Sequence, residues 1–215
     1  MPLVCPHCGG YALTNVENSP NSTQCADCHL VAPANILPLF VVTGASRSGK
    51  TAVIAALRRY LSECVIFDKD LLWGRPASEH FTNNWLRIAY SIAQGGRHTI
   101  ICGTIMPWDV DACEDRGLVG AVHFLNLHCN DDVRERRLRE RPEWRASSSD
   151  AFIAEHKTFA HWLVANAATA YNPPMPIVDT SHASVSDVAL TIAQWIWTVL
   201  DGQMAREPVD GSSTA

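Results

Sequence analysis

The chain lacks both kinds of segment that direct a protein into or across a membrane. Its first residues, Met1–Cys5, contain neither a basic region nor an apolar core, so we expect no secretory signal. The most apolar late stretch, Val188–Leu200, is too short to span a bilayer and is interrupted by polar residues. We therefore expect a cytoplasmic protein without a membrane partner, whose cysteines serve as thiols or metal ligands.

Basic residues are scarce, and none precedes Arg47. The 17 Lys and Arg against 22 Asp and Glu give a net charge of -5, so no overall positive field attracts nucleic acid. A nucleic acid partner would need a local patch and is not favoured. With 215 residues, 47% of them hydrophobic, the chain is long enough for one α/β domain and a small appendage. We predict an N-terminal module at 1–35, a main domain at 36–200 and a disordered tail at 201–215.

Half of the eight cysteines lie in two Cys-x-x-Cys pairs near the N-terminus: Cys5, Cys8, Cys25 and Cys28. Two such pairs turn four thiolates toward one centre, and the sixteen residues between them are typical of a zinc ribbon. A redox-active pair is the alternative, although two matched pairs favour a metal. His7 and His29 lie beside the pairs and are interpreted as exposed neighbours instead of ligands. A complete Cys₄ set leaves no open coordination position, so we expect structural zinc.

A strand, a glycine-rich loop and a helix are predicted in succession in the middle of the first hundred residues. Leu39–Thr43 is rich in β-branched and aromatic residues, and Thr51–Leu61 has helical periodicity. The pattern G-x-x-x-x-G-K-[ST] joins them and comprises Gly44, Ala45, Ser46, Arg47, Ser48, Gly49, Lys50 and Thr51. Such a loop wraps its N–H groups round a polyphosphate at a helix N-terminus. We expect Lys50 to reach the β- and γ-phosphates of ATP and the Thr51 hydroxyl to bind Mg²⁺. A glycine turn without ligand is the alternative.

Four further strands are predicted: Cys64–Phe67, His98–Cys102, Ala121–Leu127 and Pro176–Asp179. Asp68 and Asp70 follow the first of these. Ligands of open α/β sheets sit beyond the carboxyl ends of the strands, so these carboxylates should lie beside the γ-phosphate. There one of them could accept a proton from an acceptor hydroxyl or hold the water shell of Mg²⁺. Either could instead cap the next helix. The acid that P-loop proteins often carry after another strand is missing, because Cys102 or Gly103 takes its place.

The segment Asp131–Arg145 is rich in arginine. A solvated helix face with ion pairs at i,i+4 spacing is the usual interpretation, and Glu135 with Arg139 fits it. Arg136 and Glu140 fit it as well.

Three other arginines of this segment, Arg134, Arg137 and Arg141, share one helix face with little acidic compensation, which costs stability unless an anion meets them. Pro142 ends the helix, so Arg141 and Arg145 should stand in a loop. We therefore predict a lid at about residues 134–150, in which Arg137, Arg141 and Arg145 close over phosphates.

Taken together, these motifs resemble those of the P-loop nucleoside, nucleotide and small-molecule kinases, including shikimate and gluconate kinases and chloramphenicol phosphotransferase. The resemblance covers roughly Leu39 to Leu200 and is closest to bacterial AAA-like ATPases or broad-specificity nucleotide kinases, which have segments similar to Gly103–Pro107 and Arg141–Arg145. It implies an α/β, three-layer fold with a five-stranded parallel sheet of order 2-3-1-4-5 and a lid. It also implies that Asp68 or Asp70 binds or activates the acceptor. The missing acid and the zinc ribbon depart from the family pattern.

The sequence therefore predicts an enzyme that transfers a phosphoryl group from ATP to a small acceptor, with Lys50, Asp68, Asp70 and the lid arginines as catalytic residues. A nucleoside or nucleotide is the expected acceptor. A polynucleotide 5′-hydroxyl kinase, an antibiotic phosphotransferase and a non-catalytic ATP-binding module with a docking ribbon remain alternatives. The sequence gives no indication of oligomeric state.

Overall fold

A computed structural model describes residues 2–11, 13–16, 19–72, 80–142 and 148–204, and these residues contain two separate sheets. The small sheet is antiparallel in the order β1-β2-β3, with strands Leu13–Val16, Ser19–Cys25 and Val31–Pro33. The large sheet is parallel and contains β4 (Leu39–Thr43), β5 (Val65–Asp68), β6 (Thr99–Cys102), β7 (Val122–His128) and β8 (Ile177–Asp179).

The order of the large sheet is β5-β6-β4-β7-β8, and every neighbouring pair is parallel. Counted from β4, this is the order 2-3-1-4-5, so the predicted fold class is confirmed. The central strand β4 is flanked by β6 and β7, which brings their carboxyl ends beside the glycine-rich loop. The fold thus places the loop next to the ends of three strands.

Helices cover both faces of the large sheet: α1 (Lys50–Tyr60), α2 (Phe81–Ala93), α3 (Pro107–Asp111), α4 (Asp131–Arg139), α5 (Asp150–Ala165) and α6 (Val185–Met204). Two short 3₁₀ helices span Lys69–Leu72 and Glu114–Leu118. None of the helices in the described ranges combines the length and the apolar character that a bilayer crossing requires.

Successive residues of β4 point to opposite sides of the sheet and enter two separate cores. Leu39 and Val41 pack with residues of α2, α3 and α5, including Trp85. Phe40 and Val42 pack against α1, which contributes Leu57, and against α6. All five residues of β4 are buried, as expected for the central strand of a three-layer α/β sandwich.

The small sheet rests on α2. Its apolar interior contains Cys5, Leu13 and Cys25, and it is completed by Tyr90 of α2 and by Leu118. The hydroxyls of Thr23 and Tyr90 are hydrogen-bonded at 3.2 Å in a buried position. The N-terminal module therefore shares a packed interface with α2 and with the 3₁₀ helix that contains Leu118.

Two elements differ from the sequence prediction. The strand β3, Val31–Pro33, was not predicted; it pairs with β2, so the small sheet extends to the last residues of the predicted N-terminal module. The helix α5 was not predicted, and its N-terminus is capped by the Ser149 hydroxyl, which accepts a hydrogen bond from the Phe152 N–H.

Candidate active site

The loop between β4 and α1 has three residues with positive φ angles. Gly44 has φ 147°, and a Cβ atom there would lie 2.4 Å from the carbonyl oxygen of Leu127. Gly49 has φ 104° at the start of α1, and Arg47 has φ 64°. Glycine is required at the first position by close packing, and at the second it adopts a conformation that other residues rarely take. The loop therefore has the compact curvature that phosphate binding needs.

The Lys50 ammonium group lies against the loop itself. Its Nζ donates hydrogen bonds to the carbonyl oxygens of Gly44 at 2.7 Å and Ala45 at 2.9 Å. Burial lowers the pKa of Lys50 to about 8, and the nearby positive charge of Arg134 also lowers it, while Asp70 opposes the change. An anion in the cleft would favour the charged form of this amine.

Asp68 is held beside Thr51. The Thr51 hydroxyl donates to Asp68 Oδ2 at 2.8 Å, and the Asp70 N–H donates to Asp68 Oδ1 at 2.9 Å. The Asp70 side chain is exposed. An aspartate and a threonine hydroxyl supply the hard oxygen atoms that Mg²⁺ prefers, so these residues fit such an ion.

Cys102 occupies the place at the end of β6 where an acid was expected and not found. It is paired in register with Asp68 on the neighbouring strand. Burial raises the pKa of Cys102 to about 12, so its side chain is a neutral thiol. Of the two residues at the ends of β5 and β6, only Asp68 therefore provides a carboxylate to the cleft.

The segment after β6 contacts the loop directly. The Thr104 hydroxyl donates to the Gly44 carbonyl at 2.9 Å, and Lys69 Nζ donates to the Thr104 carbonyl. A Cβ atom on Gly103 would lie 2.1 Å from the Lys69 Cβ, so glycine is needed there for Lys69 to cross. Gly103 thus leaves room for the Lys69 side chain, and Thr104 supports the glycine-rich loop.

Two arginines of α4 bind the loop from the side opposite β6. Arg134 is fully buried and donates to the carbonyl oxygens of Ser46 at 2.8 Å and Cys129 at 2.9 Å. Arg137 donates to the carbonyls of Arg47 at 3.3 Å and Thr180 at 2.9 Å.

Arg47 Nε in turn donates to the Arg137 carbonyl, so loop and helix are linked in both directions. The surface ion pair predicted for this helix, Glu135 with Arg139, is present at 2.7 Å. The arginine helix therefore combines one solvated face with one face that holds the loop.

A cleft of about 620 Å³ opens beside these groups. The predicted site residues that line it are Ser46, Arg47, Gly49, Lys50, Thr51, Asp68, Asp70, Arg137 and Arg141. Gly44, Ala45 and Ser48 are buried beneath the loop surface, where they shape it. Arg145 lies outside the described residues, as does part of the predicted lid. The described part of the site thus brings the predicted phosphate-binding and carboxylate groups to one cavity.

Residues that also line this cleft and that sequence reasoning did not assign to the site include Lys69, Thr104, Glu140, His156 and Thr180. His156 comes from the unpredicted helix α5, and burial lowers its pKa. The ring of Phe152 packs against it with 4.3 Å between ring centroids. The only sequence signal was the stretch Asp150–Ala165, which has apolar residues at helical spacing.

The four cysteines of the N-terminal module converge on one point. Their Sγ atoms all lie within 4.8 Å of one another, and the pairs Cys5–Cys28 and Cys8–Cys25 are 3.6 Å apart. Tetrahedral zinc with Zn–S bonds of about 2.3 Å would separate its sulfurs by about 3.8 Å. The Cys₄ cluster therefore fits a zinc ribbon.

The two Cys-x-x-Cys turns have the same backbone form. Gly9 and His29, each directly after the second cysteine of its pair, have positive φ angles of 76° and 59°. Their N–H groups donate to the carbonyls of Cys5 and Cys25 at 2.9 Å. His7 and His29 are exposed and do not belong to the cluster found among the described residues, in agreement with their interpretation as neighbours.

No protein-family model matches this sequence, and no curated protein is significantly similar to it. Solved structures do share its fold. A kinase described as putative from Chloroflexus aurantiacus aligns with a TM-score of 0.53 and 15% identity over 75% of this chain and 97% of its own. The tunicamycin resistance protein of Deinococcus radiodurans aligns with a TM-score of 0.52 and 17% identity over 74% and 95%.

The YorR protein of Bacillus subtilis, solved in complex with phosphorylated GDP, aligns with a TM-score of 0.50 and 17% identity over 79% of this chain and 99% of its own. At these identities the likeness is one of fold. The chain therefore has the fold of P-loop kinases, with an N-terminal module whose cysteines fit a zinc ribbon.

Proposed function

We propose that this chain is a phosphotransferase that binds ATP with Mg²⁺ and transfers the γ-phosphoryl group to a hydroxyl or phosphate of a small acceptor. The observation that carries the proposal is the convergence of the loop, Lys50, the Thr51–Asp68 pair and Asp70 on one cleft. Phosphoryl transfer depends mainly on positioning and charge neutralisation, and these groups supply both.

Each group has a role in this proposal. The loop N–H groups and Lys50 bind the β- and γ-phosphates, and Thr51 with Asp68 would hold Mg²⁺, which neutralises phosphate charge when bound. Asp70, whose side chain is exposed in the cleft, accepts the proton of the acceptor hydroxyl or anchors the acceptor. Arg137, Arg141 and Arg145 neutralise charge that develops on the transferred group. The Cys₄ cluster binds structural zinc.

The acceptor class we favour is a nucleoside or nucleotide. This choice rests on the resemblance of Gly103–Pro107 and Arg141–Arg145 to segments of broad-specificity nucleotide kinases. The structures that share the fold include one with phosphorylated GDP and one tunicamycin resistance protein. A screen for acceptors should therefore include antibiotics as well as nucleotides.

The test is a panel of nucleosides, nucleotides, short oligonucleotides, sugars, tunicamycin and phenolic antibiotics, each incubated with ATP and Mg²⁺ and analysed by mass spectrometry for phosphorylated product. Lys50→Met should abolish turnover and leave the fold intact. Lys157→Met is the matched control, because Lys157 pairs with Glu135 outside the cleft and should retain activity. Undiminished turnover in Lys50→Met, or ATP binding without any phosphorylated acceptor, would refute the enzymatic assignment.

A further inference from the structure

Arg134 is the most unusual charged residue in the described part of the chain. Its side chain is 0% exposed, although arginine is rarely buried without a partner of opposite charge. No described carboxylate forms an ion pair with it; the nearby Asp131 pairs instead with His161 at 3.1 Å. Burial of an unpaired cation destabilises a fold, so its retention here calls for a compensating role.

The partners of Arg134 are main-chain carbonyls, and one of them belongs to the glycine-rich loop. Nη1 donates to the Ser46 carbonyl at 2.8 Å, and Nη2 donates to the Cys129 carbonyl at 2.9 Å. Nε is buried and has no hydrogen-bond partner among the described residues. The guanidinium therefore bridges the loop and the turn before α4, with part of its donor capacity unused.

The bond to Ser46 fixes the orientation of one loop peptide. In a trans peptide the N–H points opposite to the carbonyl, so holding the Ser46 carbonyl turns the Arg47 N–H away from Arg134. Loop N–H groups with fixed directions are what a phosphate-binding loop requires. Arg47 itself has φ 64°, a conformation that a non-glycine residue adopts only when its surroundings enforce it.

The charge of Arg134 also reaches the cleft. Burial is the main reason that the pKa values of Lys50 and His156 are lowered, and the charge of Arg134 lowers both further; both residues line the cleft. Arg134 and Lys50 thus repel each other in the ligand-free protein. A polyphosphate bound in the loop would relieve this repulsion, because its negative charges would attract both cations.

From this arrangement we infer that Arg134 is a positioning residue for triphosphate binding, which orients the Ser46–Arg47 peptide and places a permanent positive charge behind the loop. The inference rests on the proposed binding of ATP by this loop. Arg134 acts through the loop backbone and its field, without contact to the acceptor. It differs from Arg137, which lines the cleft itself.

The experiment compares ATP and inorganic tripolyphosphate binding by isothermal titration calorimetry in wild type, Arg134→Met, Arg134→Lys and Arg139→Gln. Arg134→Met should weaken both ligands by roughly tenfold to a hundredfold, since a charge-assisted hydrogen bond and a buried charge are lost. Arg134→Lys keeps the charge and loses the forked geometry, so it should bind with intermediate affinity. Arg139→Gln is the control, because Arg139 is on the same helix but is exposed and pairs with Glu135 and Asp150.

The melting temperatures of wild type and variants, measured without ligand, show whether Arg134 positions the loop for binding or only stabilises the fold. Equal affinity of wild type and Arg134→Lys, with a lower melting temperature of the variant, would mean that Arg134 only stabilises the fold and would overturn the inference. This comparison decides the matter even if Arg134→Met does not fold. Unchanged affinity in Arg134→Met would also overturn it while leaving the proposed function intact. Absence of ATP binding in the wild type would overturn both.

Discussion

Thr51 and Asp68 are joined by a hydrogen bond of 2.8 Å, in which the hydroxyl donates to Oδ2. The second carboxylate oxygen accepts the Asp70 N–H at 2.9 Å, so both oxygens of Asp68 are held in place. Cys102, which is paired in register with Asp68, carries no carboxylate, and Asp68 is the acid that lies beside Thr51. The two aspartates therefore have different environments and should have different roles.

Asp68→Asn and Asp70→Asn should separate metal binding from proton transfer. Asp68→Asn should raise the Mg²⁺ concentration required for half-maximal activity by roughly tenfold or more, because it removes a carboxylate beside the Thr51 hydroxyl that we propose as a Mg²⁺ ligand. Asp70→Asn should lower kcat at saturating Mg²⁺ by roughly a hundredfold or more, as expected for loss of a general base. Activity measured against Mg²⁺ at fixed ATP checks both. The same Mg²⁺ requirement in the two variants would contradict the division of roles.

ATP binding should be coupled to proton uptake by Lys50. Its pKa of about 8 in the ligand-free protein means that the amine is partly neutral near that pH. Bound phosphates favour the ammonium form and raise this pKa, so binding near pH 8 should take up about half a proton. Well below pH 8 the amine is already charged and no uptake by this group is expected. Calorimetry in buffers of different ionisation enthalpy measures the uptake.

The same pKa gives a stability prediction with a definite sign. The unfolded chain holds the Lys50 proton up to the ordinary value of 10.5, whereas the folded, ligand-free chain releases it near 8. The unfolded state therefore binds more protons between these pH values, and the contribution of Lys50 to the free energy of unfolding rises with pH across that window. Lys50→Met should remove this rise in urea unfolding measured over the window. Proton uptake or a pH-dependent rise that persists in Lys50→Met would assign the effect to another group.

Zinc removal should loosen α2 as well as the ribbon. The ribbon core contains two of the cysteines and also Tyr90 of α2, so loss of the metal exposes one side of that helix. Hydrogen exchange should become faster across Phe81–Ala93 after chelation, and exchange in α1 should change little. Elemental analysis should find one zinc ion per chain in wild type and none in Cys25→Ser.

Cys113→Ser is the matched control for zinc removal, since Cys113 lies outside the Cys₄ cluster. It should keep the metal and the exchange pattern of the wild type. Unchanged exchange in α2 after verified loss of zinc would show that the metal does not support the interface.

Tyr90→Phe should destabilise the protein through the buried contact between the small sheet and α2. The Thr23 hydroxyl is fully buried and would lose its 3.2 Å partner, which costs about 1–3 kcal/mol for an unsatisfied buried group. Tyr60→Phe removes a hydroxyl of similar geometry, bonded to Ser186 at 3.2 Å in an exposed position, and should have little effect. Urea unfolding of the two variants measures the difference. Equal effects would mean that the buried bond contributes no more than a surface one.

The sequence was informative wherever a local pattern determines the structure. Leu39–Thr43 and the loop after it follow from strand composition and glycine spacing, and the order of the sheet followed from the family resemblance. The helix α5 was missed because its apolar residues lie on several sides of the helix and not on one face: Ile153 and Leu163 are buried, whereas Val164 is exposed. His156 was missed with it.

The hydrogen-bond partners of the arginines could not be predicted either, and the physical reason is a different one. The partners of Arg134 and Arg137 are main-chain carbonyls, which every residue has and which leave no trace in a sequence. The scarcity of acidic residues on that helix face did indicate that its arginines bind something other than carboxylates of the same helix. It did not distinguish a bound anion from a loop backbone, because both accept hydrogen bonds from a guanidinium.

Tyr90 and Leu118 belong to the main domain but cover the apolar interior of the ribbon sheet, so the two parts cannot be separated without exposing apolar side chains. A chain shortened to begin at Asn35 would expose both side chains to water and so create an apolar surface patch. The isolated ribbon would keep its cysteines but lose Tyr90 and Leu118, which cover its apolar interior. The N-terminal module and the rest of the chain therefore share one apolar core, and we expect neither part to keep its structure when the other is removed.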